Sequence, residues 1–169
     1  MIQRLNHIES QYVIIQWLKN DERVEIAASS LASMADEESK QALLELAEDE
    51  SRGILQRSAA VGALTRLDPV KTSELAARVL VKAKTTQSAE LIFEAYLSKE
   101  KSSEHLAAAL SGKKMNADVA AAGVRKSLSS GGDTSQLVEA LSESGSLQPI
   151  VNGLSDEEMK LLMSEVDFC

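Results

Sequence analysis

Apolar residues recur at helical spacing along almost the whole chain, and short polar or glycine-containing breaks separate the apolar segments. In one such segment, Ala42, Leu43 and Leu46 fall on the same stripe of a helix. No segment shows the alternation of β-branched residues that is typical of a strand. The pattern predicts nine or ten helices, over residues 8–19, 22–34, 37–48, 54–67, 69–83, 87–98, 103–110, 116–129 and 133–144, with a final helix after 155.

Residues that cap helices mark several of these predicted starts. Asp68-Pro69 is the strongest signal, because Asp is favoured at the N-cap and Pro is tolerated in the first helical turn. The final helix places Met159, Leu162, Met163 and Val166 on one face. Further starts are predicted at Asn116 and at the spacings Asn6-x-x-Glu9, Asp133-x-x-Gln136 and Ser155-x-x-Glu158.

One helical phrase is repeated in register along the chain. Ile26-Ala27-Ala28, Leu31 and Met34 return 33 residues later as Ala59-Ala60-Val61, Leu64 and Leu67. A period of this length, with alanines that let helices approach closely, is typical of stacked helix pairs. With the Asp-Pro cap, the phrase resembles HEAT-like repeats. We therefore predict an all-α fold, a right-handed α-solenoid (a superhelix of the HEAT or armadillo type).

The prediction assigns residues 1–145 to the helical repeats. Residues 144–153 contain two glycines and Pro149 and have the weakest helical pattern. Residues 146–169 are therefore predicted to form a connector and a C-terminal helix. That helix either packs on the same solenoid or leads to a missing downstream domain.

The composition restricts the classes of partner. The 169 residues are 44% hydrophobic but only 3% aromatic, so the core must consist of Leu, Ala and Val. The formal net charge is −8, from 26 acidic and 18 basic residues, which argues against nucleic acid as a partner. No apolar run approaches the roughly 20 residues of a membrane span, and the first residues lack a signal-peptide pattern. The sequence therefore predicts no binding to nucleic acid or membrane.

Candidate metal ligands are few and scattered. His7 and His105 lie far apart and have no further ligands at metal-binding spacing, so we interpret them as helix-end or surface residues. The acidic runs Asp36-Glu37-Glu38 and Glu48-Asp49-Glu50 lack the alternating ligands and the turn glycine of a calcium loop. We interpret both runs as solvated charges at helix ends, the first of them at a favourable helix N-terminus.

Candidate catalytic and phosphate-binding residues are equally isolated. Gly112-Lys113-Lys114 is similar to the end of a phosphate-binding loop, but Ala107 replaces the first glycine and no strand precedes it. We interpret the two lysines as part of a solvated loop. Ser103 and His105 are two residues apart on a helix and therefore do not face each other. The chain is predicted not to be an enzyme and to hold no cofactor or metal.

The first helix is apolar around most of its circumference, so we expect it to be buried on more than one side. Trp17 is of a type that anchors interfaces, but its place in this helix favours the core or a contact between repeats. Terminal repeats usually have a polar outer face. We therefore interpret this helix as an interior one whose upstream neighbour is missing, and its apolar surface as a site of self-association. Cys169, the single cysteine, permits no internal disulfide and is interpreted as a chain end.

A closer resemblance covers residues 54–168. These residues are similar to the helical region of large secreted proteins of planctomycetes and their relatives, in which a sugar-dehydrogenase-like β-propeller often precedes the repeats and a c-type cytochrome domain follows. The Cys-x-x-Cys-His motif that anchors haem is absent here, so the resemblance implies haem only in a missing downstream domain. The similar segments are Leu67-Asp68-Pro69, Leu106-Ala107-Ala108-Ala109-Leu110, Asp118-Val119-Ala120, Leu137-Val138-Glu139-Ala140-Leu141 and Leu154-Ser155-Asp156-Glu157-Glu158-Met159.

Three hypotheses for the function follow. The leading one is a non-enzymatic scaffold or interaction module from a larger secreted redox protein, with a protein or neighbouring domains of the same chain as partners. The second is a complete cytoplasmic adaptor that binds a partner helix or peptide. The third, which the sequence disfavours, is an accessory enzyme or cofactor site near Glu90, Glu94 or His105, because such sites need convergent polar groups. The location is periplasmic or secreted on the first hypothesis and cytoplasmic on the second.

Overall fold

The computed structural model describes residues 2–20, 22–99 and 101–147, with side chains from residue 9 onward. The predicted final helix and most of the predicted connector lie outside these residues. Within them the all-α prediction is confirmed, with nine helices and no strand. The helices are α1 (Ile2–Trp17), α2 (Val24–Met34), α3 (Glu37–Glu48), α4 (Ile54–Leu67), α5 (Pro69–Lys82), α6 (Thr86–Leu97), α7 (Ser102–Leu110), α8 (Ala117–Ser129) and α9 (Ser135–Ser144).

Local capping chemistry explains where three of the helices begin. The Asp36 carboxylate accepts a hydrogen bond from the backbone N–H of Ser39 at 2.8 Å. Asp68 accepts from the Lys71 N–H at 3.1 Å, and Pro69 occupies the first helical position, as predicted. Asn116 accepts from the second and third N–H groups of α8. Each side chain satisfies an amide that the first turn of a helix leaves without a partner.

Two predicted helix starts are wrong. Helix α1 begins at Ile2, so Asn6 lies inside it and does not cap it. Helix α9 begins at Ser135, and the Asp133 carboxylate accepts from the backbone N–H and hydroxyl of that residue, at 3.2 and 2.7 Å. Asp133 therefore closes a turn two residues long and does not form a capping box.

The contacts between helices follow a regular order. Helix α4 packs against α2 and α6, and α6 packs in turn against α8. Among the other helices, α5 packs against α7, and α7 packs against α9. Most helices that are adjacent in sequence also pack together, most extensively α3 with α4, α4 with α5, and α8 with α9, but α7 and α8 do not pack closely. No helix of the described residues combines the length and apolar character that crossing a membrane requires.

A glycine allows the close packing of α8 against its neighbours. Gly123 is buried in the middle of α8, where glycine normally disfavours a helix. A Cβ atom added there would lie 2.7 Å from Cζ of Phe93 in α6 and 2.9 Å from Cδ1 of Leu141 in α9. Both of these side chains are almost fully buried, so they have little room to move. The missing side chain lets three helices meet at one point.

A buried tyrosine links α6 to the start of α5. Tyr96 has no exposed surface, and its hydroxyl donates a hydrogen bond to the carbonyl oxygen of Pro69 at 3.0 Å. Burial raises the pKa of Tyr96 to about 12, because ionisation would place a charge in the core. The neutral phenol is therefore part of the folded structure well above the ordinary pKa of tyrosine.

We expect Gly123→Ala to destabilise the protein by about 1–3 kcal/mol, as overpacking does in a filled core. Helix propensity alone would predict the opposite sign, a gain of about 1 kcal/mol. Urea unfolding followed by circular dichroism measures the change. Gly132→Ala is the matched control, because nothing lies within 4 Å of its added Cβ. A Gly123→Ala variant more stable than the parent would contradict the packing of α8 described here.

The titration of Tyr96 provides a second test of the core. The chain has two tyrosines, so Tyr96 is the sole tyrosine of a Tyr12→Phe variant, which replaces an exposed residue. We expect the ultraviolet absorbance of tyrosinate in this variant to appear with a midpoint near pH 12, the pKa that burial gives Tyr96. Because the unfolded tyrosine ionises first, the free energy of unfolding should fall as pH rises from about 10 towards 12. A midpoint near pH 10 in a chain that retains its helices would mean that Tyr96 is solvated.

Candidate interaction groove

A groove of about 440 Å³ runs between α2, α4 and α6. Its floor is formed by small residues of α4, namely Ala59, Gly62 and Ala63, and Leu91 of α6 adds an apolar side chain. One wall is formed by four residues of α2: Glu25, Ile26, Ser29 and Ser30. The groove therefore combines an apolar floor with polar walls, as binding sites for protein segments commonly do.

The depth of the groove depends on a close approach between α4 and α6. A Cβ atom added at Gly62 would lie 3.0 Å from the backbone carbonyl oxygen of Leu91. Since that oxygen belongs to the helix backbone, it cannot move aside as a flexible side chain could. Glycine at position 62 thus keeps the two helices close, and the small neighbours Ala59 and Ala63 leave the space above them empty.

Arg66 lines the groove and connects two of the helices that form it. Its Nη1 atom donates a hydrogen bond to the Ser29 hydroxyl at 3.1 Å, which links α4 to α2. Lys99 donates to the Arg66 carbonyl oxygen at 2.6 Å, which links the end of α4 to the residues after α6. Glu25 remains exposed on the α2 wall, and no cation of the described residues pairs with it. A ligand with a positive charge would find an acceptor there.

Ile26 and Ala59 occupy the same position of the repeated helical phrase, and both line the groove. Ile26 is 65% exposed, although an isoleucine at this position would be expected to pack. The next two positions of the phrase, Ala27-Ala28 and Ala60-Val61, are buried in both copies. The first position of the phrase is therefore exposed in α2 and buried in α4, whereas the next two positions are buried in both helices.

Lys126 of α8 extends this face beyond the groove. Its Nζ atom contacts Oε1 of Glu90 at 2.9 Å and Oε1 of Glu94 at 2.6 Å, both on α6. Desolvation lowers the pKa of Lys126, but the hydrogen bonds that its ammonium group donates to Glu94 and Glu90 more than compensate, so the pKa is raised. These two glutamates, which the sequence named as candidate polar groups, thus form a surface bridge between helices.

Helix α1 leaves apolar side chains in solvent. Tyr12 is 64% and Val13 46% exposed, so neither is buried by the described residues, as expected for a helix whose apolar surface the chain itself does not cover. Trp17 is half-buried and packs against the core, and the Arg23 guanidinium lies 5.1 Å from its ring centroid. Gln11 is buried and donates to Asp36 at 2.8 Å and to Ser39 at 3.0 Å, which fixes α1 to the start of α3.

The residues considered for catalysis do not form a site. His105 is exposed on α7, as predicted, whereas Ser103 is buried two residues earlier. The side chain of His7 and residue Cys169 lie outside the described side chains. Among the described residues, no group of three His, Cys, Asp or Glu side chains is arranged to hold a metal ion.

The two acidic runs have different structural roles. In the first run, Asp36 caps α3, as the sequence predicted for charges at a helix N-terminus. In the second run, the Ser51 hydroxyl and N–H bond to Asp49 and lower the pKa of its carboxyl group. Glu48 pairs with Arg78 at 3.7 Å and Glu50 with Lys82 at 2.5 Å. The carboxylates of the second run therefore form ion pairs and hydrogen bonds within the protein. The interpretation of this run as solvated charges is only partly correct.

The interpretation of Lys113-Lys114 as a solvated loop is wrong for Lys113. This residue is half-buried, pairs with Glu74 at 3.1 Å and donates to the carbonyl oxygen of Ala109. Lys114 is exposed, but its Nζ atom donates to the Glu143 carbonyl oxygen at 3.1 Å. The two lysines tie the loop after α7 to α5 and α9. Their sequence position gave no sign of these contacts, because both partners lie about 30 to 40 residues away.

Comparison with known proteins gives no relative for this chain: no family model, curated protein or solved structure matches it.

Proposed function

We propose that the chain is a non-enzymatic helical-repeat module that binds a protein segment in the groove between α2, α4 and α6. The observation that carries this proposal is the groove itself, with a floor of small residues and an exposed isoleucine on its wall. An amphipathic segment commonly places its apolar face in an apolar groove, and Ile26 with the small residues of α4 offers such a contact here.

We propose further that the helices are stacked as a right-handed α-solenoid. The contacts of α2, α4, α6 and α8 in series, and of α5, α7 and α9 in a second series, support this architecture. So does the repeated phrase, because its equivalent positions lie on neighbouring helices. A solenoid of this kind would use the surface of one helix series for binding.

The chemistry of the groove indicates the type of partner. An apolar side chain of the partner would fill the space above Ala59 and Ala63, in contact with Ile26 and Leu91. A neighbouring Lys or Arg of the partner would pair with Glu25, which lacks a cation among the described residues. The partner is therefore a helix or peptide that carries an apolar residue next to a basic one.

Site-specific photo-crosslinking tests the proposal. A photoreactive phenylalanine analogue at position 26 should crosslink a discrete protein partner in cells of the native host. The same analogue at Val70, which is 55% exposed on α5, is the matched control and should not crosslink that partner. Both positions hold exposed β-branched residues, so neither replacement should unfold the chain.

A groove-filling variant strengthens this test. Ser30→Trp would place a large side chain in the groove from a half-buried position, so it should abolish the crosslink from position 26. Equal crosslinking from positions 26 and 70, or a crosslink that survives Ser30→Trp, would exclude the groove as the binding site.

We also propose that the module belongs to a larger secreted redox protein with a downstream c-type cytochrome domain. The resemblance of residues 54–168 supports this origin, and the exposed Tyr12 and Val13 support a neighbour on the other side, either an upstream domain or a second copy. Sequencing the native reading frame tests it. A Cys-x-x-Cys-His motif beyond Cys169 is the expected result, and a stop codon after Cys169 would favour a cytoplasmic adaptor instead.

A further inference from the structure

Five basic side chains surround a second cavity, of about 320 Å³, on a different part of the molecule from the groove. Two acidic residues, Glu48 and Glu50, also line it, so positive side chains outnumber negative ones by five to two. This local excess contrasts with the formal net charge of −8 of the whole chain. The basic residues are Arg57 from α4, Arg78 and Lys82 from α5, and Lys113 and Lys114 from the loop after α7.

Ion pairs account for only part of this positive charge. Arg78 pairs with Glu48, Lys82 with Glu50, and Lys113 with Glu74. Arg57 and Lys114 pair with no carboxylate of the described residues. Lys114 instead donates to a carbonyl oxygen and to the Ser146 hydroxyl, at 3.1 and 3.3 Å. Neither cation therefore forms an ion pair with a carboxylate of the described residues, although Glu50 lies within electrostatic range of Arg57.

Arg57 is the more informative of the two cations because it is buried. Only 4% of its surface is exposed, yet it lines the cavity. Its Nε atom donates to the carbonyl oxygen of Ala47 at 2.9 Å, near the end of α3. Its two terminal nitrogens, Nη1 and Nη2, have no hydrogen-bond acceptor within the described part of the chain. Neither nitrogen is among the buried polar atoms that lack a partner, so the end of the guanidinium faces the solvent of the cavity, where an anion would replace the water around it.

A purely structural role explains Arg57 only in part. Capping the carbonyl at the end of α3 requires one nitrogen, whereas two others remain available. A structural role for Arg57 also does not explain why cations from α4, α5 and the loop after α7 line the same cavity. We propose that this cavity binds a small phosphate-bearing anion, held by the terminal nitrogens of Arg57 and by the ammonium group of Lys114. This site is independent of the groove proposed above for a protein partner.

The chemistry favours phosphate over a monocarboxylate. A planar guanidinium matches the oxygens of phosphate with two parallel hydrogen bonds, and an ammonium group adds a point charge. A dianion compensates both unpaired cations, whereas a monocarboxylate would compensate only one. The cavity is larger than a phosphate ion alone, so either free phosphate or the phosphate group of a small organic ester fits the site.

Isothermal titration calorimetry of the full chain tests the proposal, with inorganic phosphate and O-phosphoserine as separate probes and chloride at matched ionic strength as the reference. We expect saturable binding of at least one probe. Arg57→Met and Lys114→Met should each weaken binding by about tenfold or more, the effect of losing one charge-assisted hydrogen bond. Tighter binding of O-phosphoserine would identify an ester as the ligand class, and equal or tighter binding of inorganic phosphate would identify the free ion.

Lys71→Met is the matched control, because Lys71 is an exposed cation of α5 that does not line this cavity. It should leave binding unchanged. If Arg57→Met loses its helical circular dichroism, Lys114→Met decides the result, since Lys114 is exposed and its loss should not unfold the chain. Absence of saturable binding to the parent chain, or an equal loss in Lys71→Met, would overturn the proposal.

Discussion

The structure depends on a helix that is surrounded on all sides. Every residue from 56 to 63 of α4 is buried, because α2, α3, α5 and α6 all pack against this helix. Four neighbours can approach one helix only if its side chains are small, which explains the run Ser58-Ala59-Ala60-Val61-Gly62-Ala63. The same crowding buries polar groups, of which the Ser58 hydroxyl has no hydrogen-bond partner among the described residues, whereas others are satisfied. Thr65, for example, donates to the Val61 carbonyl oxygen at 2.9 Å.

Both candidate sites are consequences of this arrangement. The middle of α4 carries small residues where it faces α2 and α6, and the space that they leave becomes the floor of the groove. The first turn of α4 carries Arg57, whose stem is buried by the same neighbours while its guanidinium lines the cation-rich cavity. One helix therefore presents an apolar surface at one place and a positive charge at another. A change in the packing of α4 would alter both.

The helical class and most helix limits could be predicted because they depend on local sequence. Asp68-Pro69 and Asn116 act on amides within three residues of themselves, so their effect is visible in the sequence. The start of α1 was predicted wrongly, since an apparent capping pair at Asn6 and Glu9 gives no information on residues before it. The exposed apolar side of the same helix agrees with the expectation from its sequence, but periodicity describes the helix and does not identify what covers it. Of the groove, the sequence indicates only that Ile26 and Ala59, which both line it, fall at the same position of the repeated phrase.

The cation-rich cavity could not be predicted, because its residues are brought together only by the packing of α4, α5 and the loop after α7. The net charge of −8 even favours the opposite expectation, that the chain repels anions. The cation-rich cavity and the negative net charge of the chain are compatible, because electrostatic interactions weaken with distance in salt solution. At physiological ionic strength the screening length is about 8 Å, so a small anion inside the cavity responds mainly to the cations around it. An extended polyanion would also meet the acidic surface outside, which the net charge of −8 represents, and would be repelled. The charge balance therefore disfavours nucleic acid as a partner without excluding a small phosphate, and a cavity of about 320 Å³ would select for the size of the anion as well as its charge.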